Sequence, residues 1–268
     1  MVARPKLAHL ARRTYKRDRL GRFATTDHGD ASAIGFGRRK EGRHRAGRTP
    51  ADWEQAEQRL RGVYGDRLRV AGREHPAVRQ ALIDLDVMPE DHKRRLAEHF
   101  RGVDGGGILI GKGRAMDVYR AHNRQDLIDK VWGTPLGRRA VGLYITTPRV
   151  MAVGTDETGS PSAAQHEAGH ALDHALRFPS QNRKLPVWYT VARARHHNLL
   201  HDYFAQPGGE GQRESFAEGY ALWNAYRHDP DRTRKIADGL GAPVNDPKYR
   251  GESERLGRTL GEFFDTLV

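Results

Sequence analysis

The sequence predicts an α+β fold, mainly helical with a small β-sheet, preceded by a disordered basic tail. Three observations predict it. Much of residues 51–268 carries apolar residues at three- and four-residue spacing, the period of helices with one buried face. Three short runs, ending near residues 110, 146 and 153, are instead rich in Ile, Leu and Val and read as strands. Residues 1–50 hold 14 of the chain's 46 Lys/Arg but only four of its 34 Asp/Glu, among glycines and few large apolar groups.

The 268 residues suffice for one well-packed domain with extensions. With 37% hydrophobic residues and a mean hydropathy of −0.79, part of the chain is expected to lie outside any core. The tail accounts for the basicity: outside residues 1–50 there remain 32 basic and 30 acidic residues, close to balance. Such a tail either neutralises phosphates, with strong salt dependence, or is a solvated arm without a specific partner. The absence of cysteine excludes disulfides and thiolate ligands, so a metal must be held by histidines and carboxylates. No apolar segment follows the N-terminal basic residues, so no Sec signal is expected, and no run reaches the roughly 20 apolar residues of a membrane span. The expectation is a soluble protein, cytoplasmic when synthesised.

Taking the folded part in order, Thr49 and Pro50 followed by Asp52 and Glu54 predict a helix start, with helical spacing through Leu60 and Val63. Further helices are expected over residues 76–85 and 89–100, where Leu96 and Phe100 share a face. Residues 51–104 thus read as a helical lead packed on a core of residues 105–268. Gly106, Gly111 and Lys112 match a phosphate-loop spacing. Gly113 stands where that loop needs Ser or Thr, and the interior is Ile108-Leu-Ile110, so a buried strand is expected. Residues 140–146 and 150–153 read as a hairpin around a turn at 147–149. A helix through residues 163–176, with Pro161 in its first turn, comes next. Helices are then expected over 186–203 and 212–226 with a flexible loop at 206–211, and a closing amphipathic helix over 252–267.

The pattern that organises the chain is His166-Glu-Ala-Gly-His170. Two histidines four apart share a helix face and converge on one ion, and a tetrahedral Zn2+ site accepts both from one turn. Glu167 follows the first histidine directly and is placed to take a proton from water at the metal. The surrounding alanines and leucines give this segment its helix, whereas packing alone offers no reason for the two histidines, the acid and the glycine. His174, a further turn along, is expected at the surface.

A third ligand is needed. The class with a third histidine ten residues after the first, and a glycine three after the second, is excluded because those positions are Leu176 and Asp173. Glu214 and Glu218 lie four apart on a later helix. They are either a metal-site pair or ordinary first-turn acids favoured by the helix dipole.

The strings H-E-x-G-H-A-x-D at residues 166–173 and E-x-F-A-E at 214–218 resemble the catalytic domain of anthrax lethal factor and its relatives. These are gluzincins, glutamate-liganded zinc endopeptidases of zincin-type α+β fold. The resemblance implies that His166, His170 and Glu214 bind Zn2+ and that Glu167 is the base. It further implies that Glu218 orients a ligand histidine, with Asp173 a second candidate for such a role. That family also places a tyrosine upstream of the third ligand to stabilise the oxyanion. Tyr203 is the candidate here, with packing at a helix end as the alternative.

The expectation is therefore a zinc-dependent metalloendopeptidase acting on protein or peptide substrates. An alternative comes from residues 17–24, which resemble an R-D-x-x-G-R-F-A segment of head-associated proteins of tailed phages. It is a phage virion-associated protein binding nucleic acid or head components through residues 1–50, with an auxiliary or self-processing peptidase domain. Deletion of the tail separates the two: loss of DNA retention with unchanged proteolysis makes the tail a separate module. A secreted toxin or effector, exported without a Sec signal, is a third expectation.

Overall fold

The structure, a computed structural model, describes residues 16–17, 23–24, 52–134, 139–207 and 209–267. The expected start signal at Thr49 and Pro50, and most of the basic tail, lie outside them. Within the tail, β1 (Lys16–Arg17) and β2 (Phe23–Ala24) pair antiparallel.

Helix α1 (Asp52–Tyr64) opens with Asp52 and Glu54 in its first turn, where the helix dipole favours acids, and buries Ala56, Leu60 and Tyr64. Its buried Glu57 is held by Arg61 and Arg73. Helix α2 (Pro76–Asp86) begins with proline, whose missing N–H costs nothing there. In α3 (Glu90–Arg101), Leu96 and Phe100 are both fully buried, as their spacing predicts. Strand β3 (Leu68–Val70) departs from the expectation of an all-helical lead. Three residues with an exposed Arg69 between two buried apolar ones are too short a pattern to stand out from a helix.

Strand β4 (Gly107–Ile110) is buried throughout, as the Ile-Leu-Ile run predicts. Strands β5 (Gly142–Ile145) and β6 (Val150–Val153) form the expected hairpin, closed by a cis Thr147–Pro148 bond. The sheet order is β3-β4-β6-β5, with β3, β4 and β6 parallel and β5 antiparallel at one edge. Two seven-residue helices, α4 (Ala115–Ala121) and α5 (Gln125–Val131), were not expected; they cover one face of the sheet. Val118, Tyr119 and Leu127 pack there on Leu109, Val150 and Ala152.

The other face receives α6 (Ala163–Ala175), the helix of the histidine pair. Its N-cap is Ser162, whose Oγ accepts from the Gln165 N–H, so Pro161 lies before the helix and not in its first turn. Helix α7 (Pro186–His196) ends earlier than expected. Asn198 turns left-handed at φ 55°, and the Leu199 and Asn198 N–H groups bond Ala194 and Arg195 carbonyls, a Schellman closure. Leu199, Leu200 and Phe204 are buried from turns beyond it, which is why their spacing reads as more helix.

Helix α8 (Glu210–Tyr226) packs against α6 and starts two residues before the expected point. A Cβ added at Gly169 would lie 2.7 Å from the Ala217 Cα, so packing does account for the glycine within the histidine motif. An unexpected α9 (Arg232–Gly239) buries Ile236 and Ala237, and α10 (Arg250–Asp265) buries Leu256, Leu260 and Phe264. One apolar core runs from Leu60, Leu82 and Phe100 of the lead through Leu172 and Phe216 to Phe264. The helical lead and the later helices therefore share a core. Among the described residues no helix is long and apolar enough to cross a membrane.

Candidate metal centre

Helical spacing brings His166 and His170 together on α6, their rings 4.9 Å apart and nearly perpendicular, with the two Nε2 atoms 3.2 Å apart. The close approach of α8 over Gly169 sets Glu214 opposite them. Its Oε2 lies 3.3 Å from His166 Nε2 and 3.5 Å from His170 Nε2. These three donors form a nearly equilateral triangle. Donors around a tetrahedral ion with bonds of about 2.0–2.1 Å stand about 3.3 Å apart, so the triangle fits such an ion with its fourth side open. Among the described residues this is the group of three or more His and acidic side chains that could hold a metal ion.

Glu218, one turn beyond Glu214, accepts a hydrogen bond from His166 Nδ1–H at 2.9 Å. That bond fixes the ring so that Nε2 faces the centre, where its lone pair becomes available to an ion once the ring gives up its second proton. Tyr203 donates its hydroxyl to Glu214 Oε2 at 2.7 Å. The residue is 47% exposed along the cleft, while its oxygen reaches the centre. Burial, then the adjacent Glu214 carboxylate, raises the Tyr203 phenol well above its ordinary value, so it is a proton donor at neutral pH.

Glu167 points from α6 toward the edge strand β5, where its Cγ and Oε1 lie against Gly142. Burial raises its carboxyl above the ordinary carboxylate value, against the pull of His170, His166 and the Tyr144 backbone amide. Burial acts to lower His166, yet Glu214 and Glu218 overcome it and leave the ring well above its ordinary value; His170 is raised by Glu214 in the same way. Glu214 shows the converse: burial acts to raise it, but the two histidines hold it well below the ordinary range.

Of the residues singled out from the sequence, the structure thus brings together His166, His170, Glu214, Glu218 and Tyr203, with Glu167 alongside. Asp173 is placed differently from a carboxylate orienting a ligand histidine. Its two oxygens accept from the Ser180 N–H at 2.9 Å and the Ser180 hydroxyl at 2.6 Å, tying the end of α6 to the short 3-10 turn at Pro179–Gln181. His174 is not the surface residue expected. Its Nδ1 is 2.7 Å from the Tyr144 hydroxyl and its ring stacks on Phe178 at 4.8 Å. Gly142 and Tyr144 were not singled out from the sequence. The signal was there in the period-two alternation of β5, which puts both on the face toward α6.

The centre lies in a cleft of about 830 Å³, lined by residues 139–147, which include the edge strand β5, and by Phe178, Tyr203 and Arg213. A cleft of this size and apolar-and-polar lining is the ordinary form of a small-molecule or peptide site.

No protein-family model matches the sequence, and no curated protein matches it. Among solved structures the chain is similar to the Pro-Pro endopeptidase PPEP-2 from Paenibacillus alvei, with a TM-score of 0.51 and 16% sequence identity, over 78% of this chain and 99% of that one. At that identity the likeness is one of fold.

Proposed function

We propose that this protein is a zinc-dependent metalloendopeptidase. The observation that carries the reading is the donor triangle of His166 Nε2, His170 Nε2 and Glu214 Oε2, in a cleft that Glu167 also lines. Two imidazoles and one carboxylate, without thiolates, form a ligand set typical of catalytic zinc. The resemblance of residues 166–173 and 214–218 to lethal factor-like peptidases supports it, as does a fold similar to that of an endopeptidase.

When bound, the ion supplies Lewis acidity, which acidifies water and polarises a peptide carbonyl. The chain's own residues do the rest. Glu167, the acid that follows the first ligand histidine and lines the same cleft, takes a proton from the attacking water and returns it to the leaving amine. Tyr203 O–H, which in the free site donates to Glu214 Oε2, turns from that carboxylate to donate instead to the oxygen on which charge develops. Glu218 keeps His166 in its ligating tautomer. The cleft wall formed by β5 is an antiparallel sheet edge, the kind of surface to which an extended peptide adds as a further strand.

Glu167→Ala is the direct test. The variant is expected to retain its metal and lose peptide cleavage, measured on a denatured-protein or peptide-library substrate by mass spectrometry. Full cleavage by that variant would remove Glu167, and the mechanism with it.

A further inference from the structure

Gly142 sits in the middle of the question of how Glu167 is aimed. Its φ is not in the left-handed region, so the backbone of β5 does not require glycine there. Gly142 is the first residue of β5, and a glycine in a strand marks a place where another group comes close. Here that group is Glu167: a Cβ built on Gly142 would stand 2.5 Å from its Cγ, 2.6 Å from its Oε1 and 2.9 Å from its Cδ. All three distances are far inside van der Waals contact, so any larger residue at 142 displaces the carboxylate or the strand.

The strand that makes this seat is itself tied down. On the same face, two residues along, the Tyr144 hydroxyl lies 2.8 Å from His99 Nε2 of α3 and 2.7 Å from His174 Nδ1 of α6. The two imidazoles meet edge to face at 4.7 Å, and His174 is backed by Phe178. The hairpin turn after β5 is fixed to the same place, because Arg149 Nη1 donates to the His99 carbonyl at 2.9 Å. Burial lowers His99 to about 4 and lowers His174 as well, so both rings are neutral near pH 7. A phenol between two neutral imidazoles donates to one and accepts from the other, which satisfies both of its hydrogen-bonding directions.

We propose that β5 is the seat of the general base: the bare Cα of Gly142 makes room for the Glu167 carboxylate, and the chain His99–Tyr144–His174 holds that strand in place against α3 and α6. Gly142, Tyr144, His99 and His174 are then positioning residues, acting through Glu167. This rests on the peptidase reading for its consequence in turnover, though not for the seat itself.

The test uses the full-length, zinc-loaded protein. In Gly142→Ala, the zinc content by native mass spectrometry is expected to stay at the wild-type level. A crystal structure is expected to show the Glu167 carboxylate moved by about 1 Å, the distance needed to restore ordinary contact. A misplacement of that size lowers turnover by up to about 100-fold, so kcat is expected to fall by at least about tenfold while KM changes by less than about twofold. Tyr144→Phe, which keeps the backbone and removes only the hydroxyl, is expected to lower kcat at unchanged zinc content and unchanged circular dichroism. An unmoved Glu167 in Gly142→Ala, or kcat falling only in proportion to lost zinc in both variants, would overturn the proposal. If the wild type cleaves no peptide, the peptidase reading fails, and the position of Glu167 in the variant structure still decides the seat.

Discussion

Replacing Glu218 asks whether the centre is built from its ligands alone or also from what holds them. Its Oε2 is 2.9 Å from His166 Nδ1 and its side chain is 6% exposed, so the bond is charge-assisted and nearly dry. In Glu218→Gln an acceptor remains but the charge is gone. A charge-assisted bond is worth about 1.5–3 kcal/mol and a neutral one about 0.5–1.5, so the change removes on the order of 1–1.5 kcal/mol. That is roughly a five- to tenfold weaker zinc site. Glu218→Ala also leaves the Nδ1–H without its acceptor and frees the ring to turn, for which a loss toward about 100-fold is expected. One effect opposes these: Glu218 also raises His166, so its removal relieves proton competition. The loss should therefore be largest at alkaline pH. The assay is competition for zinc against a chelator of known affinity at pH 8, with circular dichroism to show that the fold is kept. Alanine and wild-type proteins binding zinc within twofold of each other would refute the argument.

Two further outcomes follow from the same geometry. Tyr203→Phe removes the hydroxyl that donates to Glu214 Oε2, so turnover should fall, by about 10- to 1000-fold for a lost oxyanion donor, with zinc content intact. Unchanged turnover on a peptide substrate would take Tyr203 out of the chemistry. The second outcome is the pH dependence of stability. His166 and His170 are raised above their ordinary 6.5, so in metal-free protein the stability they contribute is full below about pH 6.5 and is lost as pH rises through their folded values. Below that pH, His92 and His99, both lowered to about 4, begin to oppose folding. Metal-free protein should thus melt at a lower temperature at pH 9 than at pH 7. Zinc-loaded protein, whose ligands have already shed their protons, should not show that decline. A metal-free Tm that rises between pH 7 and 9 would contradict the assignment.

The parts of this architecture that could be read in the sequence are those whose pattern is local. His166, Glu167 and His170 announce themselves by four-residue spacing on one helix, and Glu214 with Glu218 by the same rule. The first three helices and β4 to β6 each carry enough apolar residues, or a clear enough turn, to be recognised. What escaped depends on contacts between distant segments. Gly169 looked unexplained by packing because its reason, the Ala217 backbone of α8, lies on another helix. His174 looked exposed because Tyr144 and Phe178, which cover it, come from a strand and a turn. Asp173 suited a metal site by position, yet Ser180 in the following 3-10 turn takes both its oxygens. The short elements β3, α4 and α5 fell below the length at which periodicity distinguishes helix from strand. The end of α7 was set by a left-handed Asn198, while buried Leu199, Leu200 and Phe204 continued a helical spacing through turns.

The measurement that bears most directly on the metal centre is the zinc stoichiometry of the purified full-length protein by native mass spectrometry, beside Glu214→Ala. Glu214 Oε2 stands 3.3 and 3.5 Å from the two imidazole donors and completes the triangle. The expected result is one zinc per chain in the wild type and a site in Glu214→Ala so weakened that zinc is lost on buffer exchange. A wild type that takes up no zinc when it is supplied, or a variant that holds it as firmly, would contradict the account.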